Sequence, residues 1–150
     1  MKLIVQPQFI ALKKDIENVL THFNDQGTLL VKGSRNTIKI FSLNDQLLNI
    51  KAFKKPNLLN SFVYRFIRDS KAKRSYNYAL RLLKSDIGTP QPIAFAEYNN
   101  GIGLGKSFYV CEHIVTEYTY RDLVQNPDLE NHEAILRAFT VFCYQLHEAG

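Results

Sequence analysis

The stretch from residue 27 to residue 55 constrains the fold more than any other. It reads as three short strands, Thr28–Lys32, Thr37–Ser42 and Leu47–Phe53, joined by Gly33-Ser34-Arg35-Asn36 and by Leu43-Asn44-Asp45-Gln46. Each strand mixes apolar and polar residues at a period near two, the pattern of a half-buried strand. The third, Leu47-Leu48-Asn49-Ile50-Lys51-Ala52-Phe53, sets one cation inside a mostly apolar run. Burying a lone lysine there is costly unless an anion pairs with it. Lys51 is therefore either a plain surface lysine on an edge strand or the anchor of an anionic ligand.

At 150 residues the chain fits one domain with a sizeable core. Its composition, 45% hydrophobic and 22% charged, is that of a globular protein and not of a disordered one. No apolar run approaches the ~20 residues of a membrane span, and Met1 to Pro7 is too short for a signal peptide. The expected location is the cytoplasm, with peripheral attachment at the inner membrane. Cys111 and Cys143 are far apart and show neither a Cys-x-x-Cys nor a Cys/His ligand spacing. Buried reduced thiols are expected, with no disulfide framework and no zinc site.

The net charge of +5 is unevenly distributed. Between Lys51 and Lys84 ten Lys/Arg stand against one acid, Asp69, whereas seven acids and two arginines follow from Cys111 onward. A basic block set apart from an acidic one suits an anionic partner. The candidates are an anionic glycolipid or membrane surface, a nucleotide, and a nucleic acid. Tyr64, Tyr76 and Tyr78 are interleaved with the cations, as stacking platforms would be, but no nucleic-acid motif is present and this partner ranks last. A solvated basic helix face is the plain alternative.

Around the strands the spacing predicts an amphipathic helix over 8–23, a short one over 58–66, and a longer one from Lys71 to Lys84 with Ser70 as N-cap. Strands are expected over Ile93–Tyr98 and Lys106–Ile114, separated by the glycine-rich turn 99–105. That turn resembles a phosphate loop in composition only, because no helix follows it. A helical turn at 120–124 and a long amphipathic helix from Glu130 to Ala149 complete the chain. The fold expected is α+β, with a five-stranded antiparallel sheet. Residues 1–114 form one lobe, and 115–150 form a connector and the start of a second.

A glycine-containing turn, a lysine two strands later and then a helix is the order of a protein-kinase nucleotide lobe. In this order the chain resembles the lipopolysaccharide kinase family, the Kdo and heptose kinases of the lipid A–core, whose fold is protein-kinase-like. The resemblance is carried by Leu48-Asn49-Ile50-Lys51-Ala52-Phe53-Lys54, by Arg68-Asp69-Ser70-Lys71-Ala72-Lys73-Arg74-Ser75-Tyr76, by Ile87-Gly88-Thr89-Pro90-Gln91-Pro92-Ile93-Ala94, and by Gln145-Leu146-His147-Glu148-Ala149-Gly150.

The resemblance implies an ATP-dependent sugar kinase of the inner core, seen here as its N-lobe and the first long helix of the C-lobe. Lys51 would hold the α- and β-phosphates of ATP. Gly33, Ser34, Arg35 and Asn36 would cover them, with one glycine where protein kinases have three. Backbone groups at Glu112 and Ile114 would bond the base, with His113 pointing outward, and Ala94 and Ile50 would supply apolar walls. Two departures stand out. The helix from Lys71 to Lys84 contains no acid to pair with Lys51, and Ser75 and Asn77 stand where one is expected. The chain also ends before the catalytic-loop and metal-binding aspartates of the family. Ligands for Mg²⁺ are therefore expected beyond residue 150, and no phosphate transfer is expected from these residues alone. The alternative is a non-catalytic nucleotide- or anion-binding module.

Overall fold

The computed structural model describes residues 1–55, 68–99 and 103–149. Its centre is one antiparallel sheet of six strands: β1 (Lys2–Val5), β2 (Thr28–Lys32), β3 (Asn36–Leu43), β4 (Gln46–Phe53), β5 (Pro92–Asn99) and β6 (Leu104–Glu112), in the order β1-β5-β6-β4-β3-β2. Among the described residues four α-helices accompany it: α1 (Lys13–Thr21), α2 (Lys71–Lys84), α3 (Tyr120–Gln125) and α4 (His132–Glu148). The helix expected over 58–66 lies outside the described residues.

The α+β class is as expected, but the sheet has six strands instead of five. The additional strand is β1, which pairs antiparallel with β5 from Lys2↔Glu97 to Val5↔Ala94. Four residues are too few to display an alternation. Burial of Gln6 locks the strand's end, because its backbone N–H donates to the Ile93 carbonyl and its side-chain amide to that of Pro92. The helix expected over 8–23 is also different. A 3-10 helix, Pro7–Leu12, precedes α1, with Pro7 in its first turn where no donor is needed. This turn leaves Ile10 exposed while Leu12, Ile16, Val19 and Leu20 are buried.

Hairpin β3–β4 closes through Asn44 and Asp45, both left-handed at φ 47° and 64°, the two-residue turn that matches strand twist. Gly27, at φ 79°, precedes β2, and a Cβ there would meet the Phe41 ring at 2.5 Å. Only glycine satisfies both conditions. Ser70 caps α2 as expected, accepting from the Lys73 N–H at 3.1 Å. A capping box of Thr119 and Asp122 starts α3.

The period of two divides the sheet into two faces. Ile50, Ala52, Phe108 and Val110 share one face, over which α1 and the 3-10 helix pack. Lys51, Phe53, Tyr109 and Phe95 share the other, which meets α2 through Ala72 and Tyr76. The C-terminal helices pack more loosely. Ile135, Leu136, Phe142 and Leu146 of α4 are half-buried, Phe139 is 40% exposed, and no residue of this helix reaches full burial. The face expected to serve as core is therefore largely uncovered among the described residues. Cys111 is buried and Cys143 half-buried, both as free thiols.

Candidate functional site

Lys51 sits at the middle of β4, in a cross-strand row with Ile38 of β3, Tyr109 of β6 and Phe95 of β5. It is half-buried, with its ammonium 5.3 Å from the centre of the Phe53 ring. Among the described residues no carboxylate lies within ion-pair distance of it; the pairs present are Lys73–Asp69 and Arg137–Glu133. The α2 ring that meets this row is that of Tyr76, tilted against Phe95 with centroids 5.2 Å apart. Ser75 lies at the flank of the helix contact and Asn77 is exposed.

The groups facing Lys51 are neutral. Burial pushes the Tyr109 hydroxyl well above the ordinary phenol range, helped by the neighbouring Cys111 and by Tyr76. Burial raises Cys111 to about 11, against smaller lowering contributions from its hydrogen bond with Tyr109 and from the Lys51 charge. Burial also raises Tyr76. Lys51 thus carries its charge among hydroxyls, a thiol and rings, an arrangement that an added anion would complete. The acid that the strand register does place on this face is Glu97, opposite Ser107.

The other expected site residues lie along the same strand. The turn of Gly33, Ser34 and Arg35 leads into Asn36, which opens β3 opposite Phe53. At the other end of the ladder Leu48 pairs with Glu112. Five steps of β4 separate these two ends, roughly 17 Å at about 3.3 Å per residue, with Lys51 between them. The turn and the end of β6 therefore flank the lysine from opposite directions. The turn is closed on itself, because the Gly33 N–H donates to the Asn36 carbonyl at 2.9 Å and the Arg35 carbonyl accepts from Lys54 at 3.2 Å. The outward N–H groups that a multi-glycine phosphate loop would offer are reduced accordingly.

At the far end the Glu112 N–H is taken up by the Gln91 carbonyl at 2.9 Å, and the His113 N–H by that of Leu47 at 2.8 Å. The Ile114 N–H has no backbone partner among the described residues, which leaves it as a group able to meet a base. The Glu112 side chain is exposed and the His113 side chain half-buried. Ile50 and Ala94 do not wall this face. Both are fully buried on the opposite one, against α1, because neighbours in a strand point to opposite sides. Asn49 and Cys111, one row from Lys51, stand there instead. Asn49 was legible in the sequence as the residue two before Lys51. Tyr109 and Cys111 needed the β4–β6 register, which no local pattern supplies.

A scan against protein-family models finds no match, and no curated protein matches the chain in sequence. A search of solved structures finds WaaP in complex with acyl carrier protein, at a TM-score of 0.52 and 16% sequence identity over 77% of this chain. The shared fold is kinase-like. The chain spans 42% of that WaaP chain, so the likeness concerns one part of a larger architecture. Among the described residues no group of three His, Cys, Asp or Glu side chains is placed to hold a metal ion. None of the described helices is long and apolar enough to cross a membrane.

Proposed function

We propose that the chain is the nucleotide-binding part of a kinase-like phosphotransferase acting on a sugar, Kdo or heptose, of the lipopolysaccharide inner core. One observation carries the reading: Lys51 is a half-buried cation with no acidic partner among the described residues, on the open face of a kinase-like sheet. In this reading ATP lies along β4, its phosphates toward Lys51 and the turn 33–36, and its base toward the Ile114 N–H and the Glu112 carbonyl. Bound Mg²⁺ would neutralise charge on the transferring phosphate. The residues contributed by this chain orient the nucleotide. WaaP, a lipopolysaccharide kinase, supports the sugar-kinase assignment through fold alone.

The outer side of α2 exposes Lys71, Arg81 and Lys84 and carries no acid, which suits an anionic glycolipid or membrane surface. The presence of acyl carrier protein with WaaP adds a protein partner of that kind to the candidates for this surface. A second reading rests on Tyr76. With a tyrosine where the lysine's acidic partner would stand, the chain also suits a nucleotide- or anion-binding module without catalysis.

Calorimetry with ATP tests the shared part of both readings. Lys51→Ala should weaken binding about tenfold or more, the scale of one charge-assisted phosphate contact, and Lys54→Ala should matter less. Equal affinity in wild type and Lys51→Ala would rule both readings out. Phosphate transfer to a lipid A–core acceptor by the whole protein then separates them.

A further inference from the structure

We propose that a cleft on the opposite side of the sheet, facing away from Lys51, binds a monomeric anionic amphiphile: a carboxylate or phosphate head on one apolar chain. The cleft measures about 460 Å³ and lies between the end of α1 and the strands. This size is within the range of small-molecule sites. Its interior is formed by Phe23, Tyr98 and Phe108 around Ala52. The rings pack edge-on, Phe23 to Phe108 at 5.3 Å and Tyr98 to Phe108 at 5.7 Å. Ala52 opens the space, since its own row partner is Phe108 and the next two inward residues of β4, Ile50 and Leu48, fill theirs.

The rim is cationic. Lys54, Lys55 and Lys106 line it, all three exposed, and among the described residues no acid does. The ladder runs Ala52↔Phe108 and Phe53↔Ser107, so one further step sets Lys54 beside Lys106 on the side of the sheet that Ala52 and Phe108 face. Like charges directly opposite each other on a sheet are destabilising. An anion held between them removes that repulsion and accepts charge-assisted hydrogen bonds from both. Another lysine of this face, Lys39, is not available, because its ammonium already donates to the carbonyls of Phe23, Asn24 and Gln26 at 2.8, 2.9 and 2.7 Å. Glu17 acts on Tyr98, together with a hydrogen bond from Thr21, and is not among the residues that line the cleft. An aromatic pocket with a three-lysine mouth selects a ligand that is apolar at one end and negative at the other.

This inference stands apart from the proposed function, since the two sites lie on opposite faces. The test is calorimetric titration of the chain with dodecanoate below its micelle-forming concentration. One molecule should bind per chain, and dodecyltrimethylammonium should not bind. Ala52→Leu, which fills the cleft, should lower affinity at least about tenfold, and the double variant Lys54→Met/Lys106→Met about tenfold with loss of the salt dependence. Amide shifts at Tyr98, Lys106 and Phe108 of the wild type on addition of dodecanoate give a readout that does not depend on the variants folding. Unchanged affinity in both variants, equal binding of the cationic amphiphile, or shifts confined to other residues would overturn the proposal. Displacement of dodecanoate by uncharged adenosine would put the ligand on the Lys51 face, and binding only to phosphatidylglycerol vesicles would replace the pocket with a bilayer surface. Either result also overturns it.

Discussion

Ile50 and Lys51 are adjacent in sequence and opposite in the fold. Ile50 is wholly buried beneath α1, in a cluster that includes Leu12, Ile16, Val19, Leu20 and Phe108. Lys51 faces α2 across a sparser group, Phe53, Ala72, Tyr76 and Phe95, with Tyr109 half-buried beside it. One face of the sheet is covered by α1 and the 3-10 helix over Leu48, Ile50 and Val110, as far as the cleft at Ala52. Among the described residues the other is covered where α2 meets β5, β6 and the end of β4, and toward β3 it retains the polar residues Asn49 and Asn36. The difference assigns most of the stability to the first face and leaves the second as the face proposed for the nucleotide. It also makes the comparison breakable, since each face should respond to different perturbations.

The largest effect is expected on the closed face. Ile50→Ala should cost about 3 kcal/mol or more, because it removes fully buried methylene groups and leaves a cavity that α1 cannot collapse to fill. Urea unfolding at neutral pH measures this. A loss below about 1 kcal/mol would mean that the α1 face is not the core.

Next comes pH. Cys111, at the inner edge of the open face, is raised from 9.0 to about 11 by burial. The folded state then holds a proton that the unfolded state has released, so stability falls as pH rises through that window. The loss amounts to about 2–3 kcal/mol between the two values, and the raised Tyr109 adds to it at the upper end. Cys111→Ala should flatten the slope in urea titrations between pH 9 and 11. An unchanged slope would show that the thiol is not sheltered.

Lys39 tests how the closed face is finished at its edge. Its ammonium caps three carbonyls beyond the end of α1 and lies 5.3 Å from the centre of the Phe23 ring. Hydrogen bonds from a charged donor make Lys39→Met worth about 1.5 kcal/mol, less than a buried isoleucine because the site is partly wet. Thermal melting of the variant gives the value.

The two faces were legible in the sequence to different degrees. The alternation in β3 and β4, the Ser70 cap and the 71–84 helix depend on neighbours in the chain, and they lie where the local pattern places them. Strand β1 was missed because four residues carry too short a pattern and its partner is about ninety positions away. The candidate site was legible at Lys51, a cation in an apolar strand. Its surroundings were not. Ile50 and Ala94 looked like suitable walls by composition and face the wrong way, an error of one step in a period-two pattern. Tyr76, Tyr109 and Cys111 come together through the pairing of β4, β6 and β5 and the docking of α2, which are long-range choices. The turn 33–36 was placed correctly, but closure of its Gly33 N–H onto Asn36 is a matter of backbone geometry that one glycine in a sequence does not reveal.

The smallest stability effect is expected at Lys51, and there it should separate from function. Lys51→Met exchanges an ammonium over the Phe53 ring for a thioether in the same place. Both contacts with an aromatic ring are worth about 0.5–1 kcal/mol, so the difference should stay within about 0.5 kcal/mol. No ion pair is lost among the described residues, because none is present. ATP affinity in the same variant should nevertheless fall about tenfold or more, the contribution of a phosphate contact to a charged donor. Urea unfolding and ATP calorimetry on one preparation give both numbers. A destabilisation of about 2 kcal/mol would be the cost of breaking a buried charge pair. It would give Lys51 a structural partner and turn the open face into a second core. Retained stability with lost affinity leaves the lysine without a role in the fold, which is what a residue held ready for a ligand should show.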